Sequence, residues 1–215
     1  MIKNEIIKRI LSTIILIPTV LFFIIKGSFL FNFFIFICFL ITTYEWLKLS
    51  KNNLLKIFGT IFIVISFYTI FKIRNEFDRD YFHLLLVAII CVSTDIGGYI
   101  FGNIFKGPKL TKISPKKTYS GVIGSFLLSL IFTNLFLEFS SNVQIFEFTK
   151  EMFLFILLVS FVSQIGDLIV SYFKRKSKIK DTGTIIPGHG GILDRIDGVI
   201  FALPFSYVLF INFNF

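Results

Sequence analysis

Asp194 and Asp197 stand three residues apart in Leu-Asp-Arg-Ile-Asp, a spacing that puts both carboxylates on one face of a helix. Asp167, in Gln-Ile-Gly-Asp, and Asp95, in Ser-Thr-Asp-Ile-Gly-Gly, lie inside other apolar stretches. Neither member of the Asp194/Asp197 pair has a Lys or Arg at a distance that would neutralise both, and a divalent cation would. Hard cations such as Mg²⁺ take carboxylate and phosphate oxygens, whereas Zn²⁺ wants His or Cys, and only His189 is near. Mg²⁺ is therefore the expected ion. Plain ion pairs with Arg195 and Lys174 would account for any single acid more readily than for the set.

Two basic loops flank these acids. The first runs from Gly107 to Gly121 and contains Ile-Ser-Pro-Lys-Lys-Thr. Ser114 before Pro115 is expected to start a helix, whose free N–H groups with Lys116, Lys117 and Thr118 make an anion site. The second runs from Lys174 through Lys-Asp-Thr-Gly-Thr-Ile-Ile-Pro-Gly-His-Gly-Gly to Gly191. Gly188, Gly190 and Gly191 let backbone approach a ligand closely, and His189 and Lys180 add donors. Contact with lipid headgroups explains any one lysine here. It does not explain Pro-Gly-His-Gly-Gly running straight into Asp-Arg-Ile-Asp.

The elements that must position these groups are membrane helices. Of 215 residues, 55% are hydrophobic and 16% charged, against about 25% charged in an ordinary soluble domain. Disorder and a cytosolic globule are excluded. A spanning helix needs about 20 mostly apolar residues, and candidate runs lie at 10–25, 29–47, 54–71, 81–101, 121–139, 152–173 and 191–211. The first run ends at Lys26 without a small-residue cleavage site, so it is not read as a signal peptide. Sixteen of the 22 Lys and Arg fall in the N-terminus and in the second, fourth and sixth connections; five, Lys26, Lys72, Arg74, Arg79 and Lys150, fall in the others. Positive residues are retained inside, which places the N-terminus in the cytoplasm and the C-terminus outside. The expectation is an all-α, polytopic protein of about seven spans. It is a single membrane domain over 1–215, with N-terminal helices over 1–90 and a catalytic part over 91–215.

An ionisable group at membrane depth costs about 2.5 to 3.5 kcal/mol on insertion scales, so Asp95, Asp167, Asp194, Arg195 and Asp197 each need a partner, a cavity or a function. In the orientation above, all of them lie in the half nearer the cytoplasm. Acids for a metal, beside basic loops for phosphates, beside a bilayer, suit the joining of a nucleotide or phosphate ester to a lipid. No Gly-x-Ser-x-Gly and no P-loop is present. Cys38 and Cys91 each lie in an apolar run and read as small buried hydrophobes. The basic residues are interleaved with apolar segments, so a net charge of +9 points to a membrane face or an anionic ligand and not to nucleic acid.

From Ser171 the chain reads S-Y-F-K-R-K-S-K-I-K-D-T-G-T-I-I-P-G-H-G-G-I-L-D-R-I-D, which resembles the signature of the phosphatidate cytidylyltransferase (CDP-diacylglycerol synthase) family at every defining position. I-S-P-K-K-T from Ile113 and Asp95-Ile-Gly-Gly-Tyr resemble its upstream motif. The resemblance implies transfer of CMP from CTP to phosphatidate with Mg²⁺, and with K⁺ as a second ion. It implies Asp167 and Asp194 as metal carboxylates, with Asp197 and Asp181 supporting the metal site. It further implies Lys174, Arg175, Lys180, His189 and Arg195 on phosphates, joined by Lys116 and Lys117, with Asp95 in the same polar cavity; Ser114, Gly190 and Gly191 are added as substrate contacts from the loop reading above. Family members often continue with Asp-Ser where this chain has Asp197-Gly198, and many are some 50 residues longer.

The expected activity is thus a phosphatidate cytidylyltransferase of phospholipid biosynthesis in the cytoplasmic membrane, its site facing the cytoplasm. The resemblance also suggests a homodimer. A cytidylyltransferase for another lipid phosphate, such as an isoprenoid ether lipid, is one alternative. An ion-coupled transporter is another, disfavoured because no inverted repeat is present. A CDP-alcohol phosphatidyltransferase is disfavoured because Asp197-Gly198 is followed by Val-Ile-Phe-Ala and no Arg.

Overall fold

The computed structural model describes residues 2–50, 52–77, 81–111, 113–140 and 148–213; Lys51, Arg79 and Lys112, which enter the orientation count, lie outside them. Regular structure among the described residues is entirely helical. It comprises α1 (Ile2–Lys26), α2 (Ser28–Leu49), α3 (Asn53–Lys72) continued by a π-helical turn (Ile73–Phe77), α4 (Phe82–Ile104), α5 (Tyr119–Ser140), α6 (Lys150–Lys176), a short α7 (Leu193–Ile196) and α8 (Val199–Phe213). Five of these helices, α2 to α6, are long and apolar enough to cross a membrane, and two shorter apolar helices cover Leu11–Lys26 and Val199–Asn212. The stretch expected as one run over 191–211 is divided between α7 and α8. Gly198 marks the join, where an added Cβ would lie 2.5 Å from the Ser163 hydroxyl.

The described residues pack as two compact units, Met1–Leu84 with Phe173–Asp197, and Leu85–Tyr172 with Gly198–Phe215. In the first, α1 and α2 are joined by a left-handed turn at Gly27 and Ser28, with φ of 61° and 53°. The turn is closed by Arg74. Its buried guanidinium donates to the carbonyls of Ile24 (2.9 Å) and Ile25 (3.4 Å), satisfying the end of α1. A Cβ on Gly27 would overlap that guanidinium. Arg74, counted in sequence as a loop cation, is thus a buried cap. Phe23 stacks on Phe34 at 4.5 Å between α1 and α2, and the Trp46 ring of α2 fills the space left by Gly59 of α3.

The second unit relies on small and hydroxyl residues. Apolar side chains gain nothing by leaving lipid for one another, so close backbone approach and interhelical hydrogen bonds do the holding. Gly97 of α4 meets the backbone of Gly124 and Ser125 of α5. The Ser125 hydroxyl donates to the Thr94 carbonyl (2.7 Å) and the Thr94 hydroxyl to Ser160 of α6 (2.7 Å), all buried. Gly166 of α6 lies under Phe201 of α8, and Phe155 packs on Phe210 at 5.0 Å.

The Gly97 contact gives a direct test. Gly97→Val drives a branched side chain into backbone that cannot rotate away, and should destabilise by roughly 1–3 kcal/mol or more. Ile96→Val, at an exposed neighbouring position, should be neutral. Thermal unfolding of the detergent-purified proteins reads both, and a Gly97→Val variant as stable as the parent would refute the packing account.

Candidate active site

The second basic loop is built around a proline–glycine turn. Pro187 and Gly188 occupy its centre, Gly188 has φ of 76°, and the His189 N–H returns to the Ile186 carbonyl at 2.9 Å. Ile186 and Gly190 then exchange N–H donors in an isolated bridge. Gly190, with φ of 88°, passes so close to Asp194 that a Cβ there would stand 2.6 Å from Oδ2. On its other side that Cβ would lie 3.2 Å from Cβ of Asp181.

Asp194 is the hub of this loop. Its side chain is only 3% exposed, and Lys174 donates to Oδ1 at 2.9 Å. The N–H groups of Thr182 (2.7 Å) and Gly191 (2.9 Å) donate to Oδ2. Lys174 also stands 3.6 Å from Oδ2 of Asp197. This corrects the expectation that no cation reaches both acids. Lys174 lies in the last turn of α6, twenty residues before Asp194, and its long stem spans what local spacing does not.

The other expected residues of this unit take varied places. His189 shares a 2.6 Å hydrogen bond with the Ser12 hydroxyl of α1 and a 3.4 Å one with Thr13. Arg195 is exposed and donates Nε to the His189 carbonyl (3.1 Å). Arg175 is exposed, with Nη1 on the Ile179 carbonyl (3.3 Å). Lys180 and Asp181 are exposed.

One acid of this unit is absent from the sequence reading. Glu45 of α2 is 2% exposed, and its carboxylate accepts from the Thr182 hydroxyl (2.9 Å) and the N–H groups of Ile192 (3.0 Å) and Leu193 (2.8 Å). The available signal is a lone ionisable residue inside the 29–47 apolar run. Ser12 and Thr13 were equally visible as a polar pair within an apolar segment.

In the second unit Lys117 pairs with Asp167, Nζ to Oδ2, at 2.6 Å, both about a quarter exposed. Ser171 donates to Asp167 Oδ1 (3.2 Å). No helix starts at Ser114. Instead Pro115 and Lys116 form a turn in which the Lys117 N–H returns to the Ser114 carbonyl (3.0 Å), and the Leu110 N–H reaches the Lys117 carbonyl (2.8 Å). The loop closes on itself before the chain becomes helical, and α5 starts at Tyr119, with the Thr118 hydroxyl accepting from the Gly121 N–H (3.1 Å). Lys116 and Asp95 are exposed. Gly198, where the signature often continues with Ser, faces Ser163 so closely that a side chain would have to displace it.

Among the described residues no group of three His, Cys, Asp or Glu side chains forms a metal cage by itself. Mg²⁺ does not require one, since it is usually held by one or two carboxylates plus substrate phosphates. Asp194 and Asp197 in the first unit, and Asp167 in the second, each offer the carboxylate oxygens that such an ion takes.

Comparison with known proteins follows the same residues. The model of the "Cytidylyltransferase family" matches residues 53–213. The phosphatidate cytidylyltransferase of Rickettsia conorii is 36% identical over 204 residues, covering 92% of this chain and 88% of the relative. That of Rickettsia bellii is 34% identical over 215 residues, covering 98% and 92%. The Staphylococcus haemolyticus enzyme of that name is 41% identical over 138 residues, covering 62% and 51%.

Proposed function

The chain belongs to the cytidylyltransferase family, and on that premise we propose that it is a phosphatidate cytidylyltransferase, an enzyme that transfers CMP from CTP to phosphatidate and releases pyrophosphate. The observation that carries the reading is the closed loop from Lys174 to Asp197. There a buried lysine, two carboxylates and a glycine-rich turn are held at fixed distances beside apolar helices.

In the reaction a phosphate oxygen of phosphatidate attacks the α-phosphorus of CTP, a new P–O bond forms, and the bond to pyrophosphate breaks. No covalent enzyme intermediate is needed. The chain's task is to place two polyanions and balance their charge. Lys174 and Lys117, each paired with an acid, are donors for phosphate oxygens, with Arg175, Lys180, His189, Arg195, Lys116 and the backbone at Gly190 and Gly191 as further contacts. Ser114, Asp181 and Asp95 belong to the same assignment. Mg²⁺, with K⁺ as a second ion, would neutralise charge on the phosphates, and Asp167, Asp194 and Asp197 are the residues to hold it.

The same reading treats α1 and the α7–α8 segment as spans. That makes seven, with the N-terminus and both basic loops cytoplasmic, in a homodimer of the cytoplasmic membrane. The catalytic part is the 91–215 portion, joined by α2 through Glu45.

Two experiments test this. Purified protein given α-labelled CTP should move label into lipid only when phosphatidate and Mg²⁺ are both present, and Asp194→Asn, folded at neutral pH, should lose about 100-fold or more. Near-normal transfer by that variant removes Asp194 from the site, and no transfer by the parent removes the function. Alkaline phosphatase fused after Phe215 should be active and a fluorescent protein there dark; the reverse would overturn the seven-span orientation.

A further inference from the structure

Glu45 has no part in the phosphate and metal assignments above, yet it is one of the most buried charged side chains described. We infer that Glu45 is a positioning residue for the transfer reaction, holding the 182–193 loop so that Asp194 keeps its orientation; the inference rests on the functional reading above.

Thr182 and Leu193 carry the connection. The Thr182 hydroxyl donates to Glu45 Oε2 while its N–H donates to Asp194 Oδ2, so one residue is gripped by both carboxylates. Leu193, whose N–H is also bound to Oε2, is the residue immediately before Asp194. The Ile192 N–H completes the set on Oε1. All three partners are donors, as a carboxylate requires. These amides open α7 and have no partner within it, so Glu45 supplies from another helix what a local cap would otherwise provide.

The loop is shaped around this carboxylate. A Cβ on Gly191 would overlap both Glu45 oxygens and the Thr182 hydroxyl, and one on Gly183 would stand 2.7 Å from Oε1. One turn further along α2, the Leu49 carbonyl accepts from the Ser177 hydroxyl (2.6 Å), and between them Trp46 meets the Phe173 ring edge-on at 5.2 Å. The C-terminal turns of α2 are therefore the platform on which the loop is seated. A methionine at position 45 would fill similar volume and leave three donors unpaired, so the carboxylate is needed for loop geometry and not for packing.

Glu45→Gln is the sharpest probe. Whichever way the amide is turned, its NH₂ faces a backbone N–H, that of Ile192 or that of Leu193. We expect kcat to fall roughly 10- to 100-fold, the range for groups that orient a ligand-bearing side chain. Hydrogen exchange should accelerate at 182–193 and stay unchanged in α3 and α5. Turnover within twofold of the parent with unchanged loop exchange would overturn the inference. So would lost turnover accompanied by faster exchange throughout the helices, which would mark a merely structural role. If Glu45→Gln does not yield folded protein, Thr182→Val decides, since it removes one donor only. It should lower kcat about fivefold, the effect of one hydrogen bond, with faster exchange confined to the loop, and parental kcat would overturn the inference. A parent protein that transfers no label would instead remove the functional reading, and the exchange data would still show whether Glu45 holds the loop.

Discussion

A backbone N–H buried inside a folded loop must find an acceptor there, because an unpaired buried amide costs as much as a lost hydrogen bond. In the 181–193 loop two carboxylates meet that demand. Asp194 takes the amides of Thr182 and Gly191, and Glu45 takes those of Ile192 and Leu193. The glycines at 183, 190 and 191 follow from this, since each lies where a side chain would collide with one of those carboxylates. So does the position of Lys174, the cation that compensates Asp194 where burial would otherwise disfavour its charge. A buried carboxylate that also accepts backbone donors is more rigid than an ion pair alone, and rigidity is what a reaction run by positioning requires.

The second unit reaches rigidity by another route. Its helices approach through Gly97, Gly124 and Gly166 and are cross-linked by the hydroxyls of Thr94, Ser125 and Ser160. The contacts are short, neutral and buried, and they leave the large apolar side chains to face outward, as Phe139 does at 83% exposure. This unit's ion pair of Lys117 with Asp167 is partly exposed and local to α6 and the 106–118 loop. The two units thus present similar lysine–aspartate chemistry on different supports.

Much of this was legible beforehand. The runs at 29–47, 54–71, 121–139 and 152–173 lie within a few residues of α2, α3, α5 and α6, because a long apolar stretch in lipid has few conformations other than a helix. Asp167, Asp194 and Lys174 are marked by their types and by the family motif. What was not legible is partnership across distance. Glu45 was visible as an acid in an apolar run, but its donors lie 137 to 148 residues later. Ser114-Pro115 shows why a local signal can mislead. The same pair can open a helix or occupy the first half of a turn, and the choice was made by Lys117 returning to Ser114 and by Thr118 capping α5.

The pairing of lysine with aspartate also sets how the site would respond to a phosphate. Under the proposed reading, a phosphate oxygen that draws Lys174 away leaves Asp194 with its two backbone donors but no cation, in surroundings where 3% of the side chain meets solvent. That carboxylate would then be a better ligand for a divalent ion than it is while paired. On that reading a nucleotide and a divalent ion would favour each other's binding through one lysine, while the two amides on Oδ2 would hold the carboxylate in place. Glu45 makes that possible, because the Thr182 amide that anchors Asp194 is itself fixed by the Glu45–Thr182 hydrogen bond. A single ion pair at the loop's centre can open without the loop opening with it.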